Sequence, residues 1–316
     1  MNYQASTNIL KAIKTIVDSG IPDVIEYYRS ENRINSVGDA LEDFAKDIFA
    51  DSISISDRCE KAKAHRSVFS WGGNANNPPD FMIRGGDAVE VKKITTPTAR
   101  IALNSSYPSA KLFADSLMIL SDCRKCEDWT EKDNIYCIGH IGGQRQLSSL
   151  WLVYGDCYAA NKEVYERIRS NIINGIAEIR GVELSVTKEL ARVNKIDPLG
   201  ITNLRVRGMW DIAHPFKVYD YLNVTSDLEK SFQLFVLMRT SKYLSFPESD
   251  RSHIETLASL GSLDLRDVEV KSPNNTMETI AAKLVVYEIS QHSLGSYTPT
   301  HQDKFGTDAD SDFFGR

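Results

Sequence analysis

Between residues 79 and 92 the chain reads Pro79-Asp80, nine residues, then Glu90-Val91-Lys92. Two carboxylates brought together can hold a hard divalent cation, and such a cation supports attack of water on a phosphodiester. A lysine beside them can position that water and offset charge developing on the phosphoryl oxygens. Glu90 and Lys92 are two apart in a strand-like run, Ala88 to Lys93, so both side chains leave the same face. Whether Asp80 joins them depends on the register of a hairpin whose first strand is Asp80 to Ile83 and whose turn contains Gly85-Gly86. A two-residue turn pairs Arg84 with Asp87 and sets Asp80 opposite Val91, on the wrong face. A three-residue loop, Arg84-Gly85-Gly86 with Gly86 left-handed, pairs Ile83 with Asp87 and sets Asp80 opposite Glu90. Facing carboxylates repel unless a cation sits between them. The expectation is the three-residue loop, with a metal at Asp80 and Glu90; an irregular first strand could achieve the same placement, and a regular two-residue turn would argue against the site.

Asp-x9-Glu-x-Lys is a short pattern, and Glu-Val-Lys is also ordinary on a solvated strand. Its setting adds weight. The stretch 70–79 is a loop rich in Gly, Asn and Pro, the kind of segment that carries functional groups. Upstream, Val37, Leu41, Phe44 and Ile48 form the apolar stripe of a helix from Val37 to Phe49, with Asn35 or Ser36 as cap. Glu42 lies on the bordering row Gly38, Glu42, Ala45, Phe49, while Asp39, Asp43 and Lys46 lie on the outer row. A carboxylate turned partly inward needs a partner. A metal or its water would serve, and a glutamate reaching solvent is the equal alternative.

These residues need a scaffold, and the remaining pattern supplies one. Ile9, Leu10, Ile13, Ile16 and Val17 recur at helical spacing before Gly20 and Pro22. Ile135 to Ile141 and Leu150 to Tyr154 read as strands. Lys162 to Arg180 reads as a helix with Val164, Ile168, Ile172, Ile176 and Ile179 on one face. Helices and strands alternate, so the class is α/β. Leu204 to Trp210 reads as a strand, and Phe232 to Met238 fits helix or strand equally. Residues 291–316 are polar and expected to be a poorly ordered tail. No linker stands out, so residues 1–290 are read as one domain, with a catalytic core near 30–180 and a recognition part near 195–290.

The chain has 316 residues, 42% hydrophobic and 25% charged, with a formal net charge of -6. An acidic total weighs against a nucleic-acid partner, but a cleft can be locally basic. No apolar run approaches the roughly 20 residues of a membrane helix, and Met1 to Gln4 do not begin a signal peptide. Five cysteines, an odd number in a long chain, indicate a reducing cytosol rather than a disulfide framework. Cys123-x2-Cys126 and Cys137-x2-His140 have the ligand types of structural zinc. Cys137 and His140, three apart on a strand, point to opposite faces, so buried thiols and a satisfied histidine are the default reading. Cys59 and Cys157 belong to no pattern.

Pro79-Asp80 and Glu90-Val91-Lys92 resemble the PD-(D/E)XK nuclease signature. The wider chain resembles type II restriction endonucleases of the NgoPII-like family. The resemblance is carried by Asn32-Arg33, Gly38-Asp39-Ala40-Leu41-Glu42, Pro78-Pro79-Asp80, Glu90-Val91-Lys92-Lys93, Leu103-Asn104-Ser105-Ser106-Tyr107-Pro108, Asp197-Pro198-Leu199-Gly200 and Leu204-Arg205-Val206-Arg207-Gly208-Met209-Trp210. It implies a restriction-endonuclease-like core, a mixed central β-sheet flanked by helices. It also implies magnesium dependence, no nucleotide cofactor, a homodimer and cleavage of both strands of a short palindrome, GGCC among the family. By position, Asp80 and Glu90 would bind the metal, with the Val91 carbonyl a further ligand. Lys92 would position the water, and Glu42 would orient a water or a second metal. A structure-specific or repair nuclease of the same core, or a non-catalytic DNA-binding protein, are the alternatives.

Candidate DNA contacts follow. Asn104, Ser105 and Ser106 can bond phosphates or base edges, though turn and cap chemistry also favours them. Lys93, Arg100 and Lys111 could form a basic wall. Arg205 and Arg207 share a strand face, and arginine is well shaped to grip guanine through O6 and N7. Asn203, His214 and Lys217 could assist, and Trp210 is read as core.

Overall fold

A strand that is apolar at nearly every position must be covered on both faces, and three such runs set the architecture. In the computed structural model, which describes residues 5–19, 37–74, 76–142, 146–179, 183–185 and 190–290, these runs lie side by side. The elements are α1 (Ile9–Ser19), α2 (Val37–Ala50), α3 (Arg58–Val68), β1 (Phe69–Trp71), β2 (Phe81–Ile83), β3 (Ala88–Ile94), β4 (Ile101–Asn104), β5 (Lys111–Phe113), α4 (Ser121–Lys125), β6 (Glu131–Ile141), β7 (Leu147–Tyr154), α5 (Gly155–Tyr158) and α6 (Lys162–Ala177). Then come β8 (Glu183–Ser185), β9 (Ala191–Asn194), β10 (Leu204–Val206), β11 (Trp210–Ile212), α7 (Pro215–Val218), β12 (Lys230–Arg239), α8 (Thr240–Ser245), α9 (Glu248–Ser259), β13 (Asp264–Lys271) and β14 (Thr279–Ser290). Asn32, Arg33, the caps Asn35 and Ser36, and the tail 291–316 lie outside the described residues.

The main sheet runs β1-β2-β3-β6-β7-β12-β14-β13, with β5 paired to β6 off this path. β3 runs parallel to β6 and β12 parallel to β7; the other neighbours are antiparallel. This is the mixed sheet flanked by helices that the resemblance implied. Period-two alternation divides the strand side chains between two cores. Ile135, Cys137, Leu234 and Val236 pack with Ile13 of α1, Leu41 and Phe44 of α2 and Ile254 of α9. Tyr136, Ile138, Phe235 and Leu237 face the other way, toward Phe216 and Tyr219. There Trp151 stacks on Phe235, centroids 4.7 Å apart, and meets Phe216 edge-on at 5.3 Å. Burial on both faces explains why periodicity left Phe232 to Met238 undecided: it is strand β12, apolar on both sides.

Two expectations are corrected. Leu204 to Trp210 is not one strand. β10 joins β9 and β8 in a three-stranded sheet, whereas β11 pairs with β4. The chain changes sheets across Arg207-Gly208-Met209, a break that periodicity does not register. The helix from Lys162 ends at Ala177, and no residue along it is buried. A row of isoleucines announces an amphipathic helix but not what that row faces.

Candidate active site

The hairpin register is the one a three-residue loop requires. Phe81 pairs with Val89 and Met82 with Ala88, and the Ile83 amide donates to the Asp87 carbonyl at 2.9 Å. Asp80 stands just before β2, outside this regular pairing, and its amide donates to the Val89 carbonyl at 3.1 Å. The left-handed residue, however, is Gly85, with φ of +65°, and not Gly86. The bend closes from the Gly86 amide to the Ile83 carbonyl at 3.0 Å, so the third residue of that four-residue turn takes the positive φ.

Two side chains that sequence reading missed hold this turn. Lys132 of β6, with its side chain 4% exposed, donates to the carbonyls of Ile83 at 3.1 Å and Gly86 at 2.7 Å. Glu127 accepts from the Gly85 amide at 2.8 Å and lies 2.5 Å from Lys132. The sole sequence signal was a lysine at the head of an apolar strand. Just past the turn, buried Asp87 accepts from the Tyr154 hydroxyl at 2.6 Å and from Lys242 at 2.7 Å.

On the functional face, Asp80 Oδ2 accepts the Val91 amide at 2.5 Å, and Lys92 Nζ lies 2.6 Å from Glu90 Oε1. All three side chains are half-buried. Burial and the Glu90 charge push the Asp80 carboxyl up to about 7, against the pull of Lys92 and the Val91 amide; Glu42 adds to the rise. Burial opposes the charge on Lys92, but Glu90, Asp80 and Glu42 outweigh it and the ammonium is held above its ordinary value.

Glu42 thus shares the electrostatic surroundings of the hairpin residues. Its contact is Lys46, one turn on, at 2.7 Å, and Lys46 also donates to the Gly72 carbonyl at 3.0 Å. Sequence reading placed Lys46 on the outer row; the structure turns it toward the loop that precedes Asp80. Helix α2 is itself anchored by Asp47, fully buried, which accepts from Ser52 at 2.6 Å and Lys61 at 2.8 Å and lies 2.7 Å from His65 Nε2. The loop is threaded closely past the site. Gly73 has φ of +90°, and a Cβ there would lie 2.0 Å from the Asp80 carbonyl oxygen, so glycine is required.

The donor set suits magnesium. Among the described residues no three His, Cys, Asp or Glu side chains converge as ligands. Magnesium is ordinarily held by one or two carboxylates, with water and phosphate oxygens completing its shell. Asp80 and Glu90 are two carboxylates of that kind, and the Asp80 carboxyl is raised first by burial and then by the Glu90 charge. The cysteine quartet does not converge. Cys137 lies in the core against α1 and α2, while His140 is two residues on from Ile138 of the opposite core and bonds Ser148 at 2.6 Å. Cys126 donates to the Cys123 carbonyl.

A cavity of about 550 Å³ opens beside Glu90, bordered by Ser106, Tyr107, Lys111, Asn134, Tyr136 and Arg169. Lys111 also pairs with Glu131 at 2.7 Å and Asp133 at 3.6 Å. Lys93, Asn104 and Ser105 are exposed, and Asn104 is left-handed with φ of +53°. The Ser106 amide closes a turn onto the Leu103 carbonyl at 3.2 Å. Arg100 pairs with Asp211 at 2.7 Å through Nε. Arg205 lies on β10 opposite Arg192, and Arg207 follows the strand's end; both are exposed, but no continuous strand carries the pair. Asn203 Oδ1 accepts from the Lys195 amide at 3.2 Å. Lys217 is exposed. His214 does not face solvent: it is buried, caps α7 through Phe216 N, and burial lowers its pKa to about 4. Trp210 is half-buried against Tyr107 and Tyr165.

Comparison with known proteins identifies the family. Residues 7–271 match the model of the NgoPII restriction endonuclease family. The type II restriction enzyme NgoPII of Neisseria gonorrhoeae is 41% identical over 283 residues, which cover 89% of this chain and 100% of that protein. No solved structure matches the chain. With a family match over most of its length and a relative 41% identical over 89% of it, the chain belongs to the NgoPII restriction endonuclease family and is a type II site-specific deoxyribonuclease.

Proposed function

We propose that Asp80, Glu90 and Lys92 are the catalytic centre for magnesium-dependent hydrolysis of double-stranded DNA at a short G·C-rich palindrome, with GGCC the first sequence to test. One observation carries the reading. The half-buried Asp80 carboxyl accepts the Val91 amide at 2.5 Å and feels the Glu90 charge, and Lys92 lies 2.6 Å from Glu90. Magnesium bound there would supply Lewis acidity and a lowered pKa for its water. Asp80 and Glu90 would hold it, with the Val91 carbonyl as a backbone donor. The Val91 amide fixes the rotation of the Asp80 carboxyl. Lys92 holds the attacking water in line and places its charge beside the phosphoryl oxygens, where negative charge builds up. Glu42, tethered by Lys46, orients a further water or a second ion.

Lys93, Asn104, Ser105, Ser106 and Lys111 would contact the DNA backbone near the cavity. Asn203, Arg205 and Arg207 would reach base edges; the guanidinium fork favours guanine. One chain carries one such centre, so cutting both strands of a palindrome calls for two copies, and we take the enzyme to be a homodimer of the cytosol.

Digestion of phage DNA with magnesium tests this directly, comparing the intact protein with Asp80→Asn and Lys92→Ala. The expected result is discrete bands from the intact protein and a rate lower by on the order of 10³-fold in each variant, with ends that sequence to one palindrome. A smear would point to a nuclease without sequence preference. Full activity in either variant would remove the centre from these residues.

A further inference from the structure

The hairpin of β9 and β10 ends in a turn held by several hydrogen bonds. Asp197-Pro198-Leu199-Gly200 carries aspartate, proline and glycine at the positions a type I turn favours. The Gly200 amide closes onto the Asp197 carbonyl at 2.8 Å, and Gly200 itself has φ of +69°. The Asp197 carboxylate accepts the Leu199 amide at 3.0 Å and the Thr202 amide at 2.6 Å. These bonds, those of Thr202 first, hold its carboxyl below the ordinary value. The Ile196 amide reaches the Thr202 carbonyl at 3.0 Å. On this fixed backbone stand Leu199, 80% exposed, and Ile201, 77% exposed. A single apolar side chain at the surface is ordinary. Two on one braced turn, beside Pro198, form an apolar point whose backbone does not let it fold back onto the body.

The strands behind the tip identify its partner. From Ala191 to Arg207 the hairpin carries four cations, Arg192, Lys195, Arg205 and Arg207, and one carboxylate, Asp197, which the turn uses. Lys195 meets Glu183 of β8 at 2.8 Å. The chain as a whole is at -6. Arg192 and Arg205 are directly opposed, so both leave one face of the sheet, and both are exposed. Positive charge gathered on one element of an acidic protein is complementary to a phosphate backbone. The root of the hairpin lies at the candidate active site. β10 leads through Arg207-Gly208-Met209 into β11, where Trp210 pairs with Asn104 and packs on Tyr107. Tyr107 borders the cavity beside Glu90. The three-stranded sheet joins no other described strand, and from Val206 to Leu199 the hairpin has a reach of roughly 20 Å.

We propose that the β9–β10 hairpin is a DNA wedge: Leu199 and Ile201 enter a base step of the duplex, and Arg192 holds a phosphate beside it. Leucine, isoleucine and proline side chains have no donor for a phosphate or a base edge, but they part stacked bases and kink a duplex. The proposal rests on the reading that Arg205 and Arg207 face the DNA. To their base-edge contacts it adds a selectivity that depends on how readily a step unstacks.

Insertion is read from DNA topology, without catalysis. Full-length protein carrying Asp80→Asn is bound to closed circular plasmid with calcium in place of magnesium. The circles are relaxed by a topoisomerase, the protein is stripped, and the topoisomers are resolved. A wedge unstacks and untwists its step, so the distribution should shift as protein is added. Adding Leu199→Ser with Ile201→Ser should remove most of the shift at equal occupancy. Both positions are exposed, so the circular dichroism melt should stay close to that of the parent. Leu199→Met, which remains apolar, should keep the shift. Arg192→Ala should keep it at saturation but weaken binding alike on all sequences, with log affinity against log salt shallower by about one. Bound plasmid without a shift overturns the insertion, as does a full shift from the serine variant. A serine variant that keeps the shift but runs at a lower mass in solution would give the tip to a second copy of the chain instead. Full affinity in Arg205→Ala with Arg207→Ala would remove the DNA-facing reading beneath the proposal. Failure of the catalytic assignment looks different, because the Asp80→Asn protein would then cut phage DNA with magnesium.

Discussion

Asp80 is the residue whose chemistry is most altered by its surroundings. Its carboxyl sits at about 7 because burial and the Glu90 charge both penalise ionisation. The folded, metal-free protein therefore keeps a proton that the unfolded chain releases near 3.8. The stability this proton gives is fully present below the unfolded value and is lost as pH rises through about 7. A cation at the site must displace that proton, so metal affinity falls with pH. Half-saturating magnesium for cleavage should be about tenfold higher at pH 6 than at pH 8; equal values would remove Asp80 from the metal site. For the same reason, Asp80→Asn should raise the stability of the metal-free protein at pH 8 by ~1–2 kcal/mol, read from urea midpoints, while slowing cleavage as proposed above.

At the scale of elements, the hairpin is held from outside itself. The loop length was legible in the sequence, and the Ile83 amide bonds the Asp87 carbonyl as a three-residue loop requires. What fixes the turn was not legible. Lys132 and Glu127 come from other parts of the chain, and their pairing follows from β6 lying beside β3. Removing one partner of so buried an ion pair leaves an uncompensated charge. Lys132→Met should cost ~3–5 kcal/mol in denaturant unfolding, and adding Glu127→Gln should recover part of it. If Lys132→Met left both stability and turnover unchanged, the post would carry no load. Gly73 makes a parallel case. A Cβ 2.0 Å from the Asp80 carbonyl oxygen cannot be absorbed by a side-chain rotation. Gly73→Ala should lower turnover more than 10-fold with DNA affinity retained; a variant with normal turnover would show that the loop can shift without moving Asp80.

At the scale of the whole molecule, the sheet is a wall with a core on each side, and the catalytic hairpin lies near one end of it. β12 and β7 run parallel at its centre, and Trp151 of β7 joins Phe216, Tyr219 and Phe235 into one aromatic group. Trp151 is 0% exposed, so Trp151→Ala should destabilise the protein by ~3–5 kcal/mol, measured by urea unfolding. A loss below about 1 kcal/mol would mean that this face collapses to fill the space. In contrast, α6 is uncovered, and its apolar row belongs to the surface of the single chain.

The sequence by itself determined the residue types of Asp80, Glu90 and Lys92, the strand that carries Glu90 and Lys92 two apart, and the length of the hairpin loop between them and Asp80. These are local, set by the two-residue period of a strand and the few ways a hairpin can close. It also announced the helix bearing Glu42 and the opposite facing of Cys137 and His140. Tertiary structure decided the rest. It turned Lys46 toward the active-site loop, buried His214 as a helix cap, divided Leu204 to Trp210 between two sheets, and left the isoleucines of α6 without cover. Each of those outcomes depends on which distant segment packs alongside, and residue spacing along one chain carries no information about that.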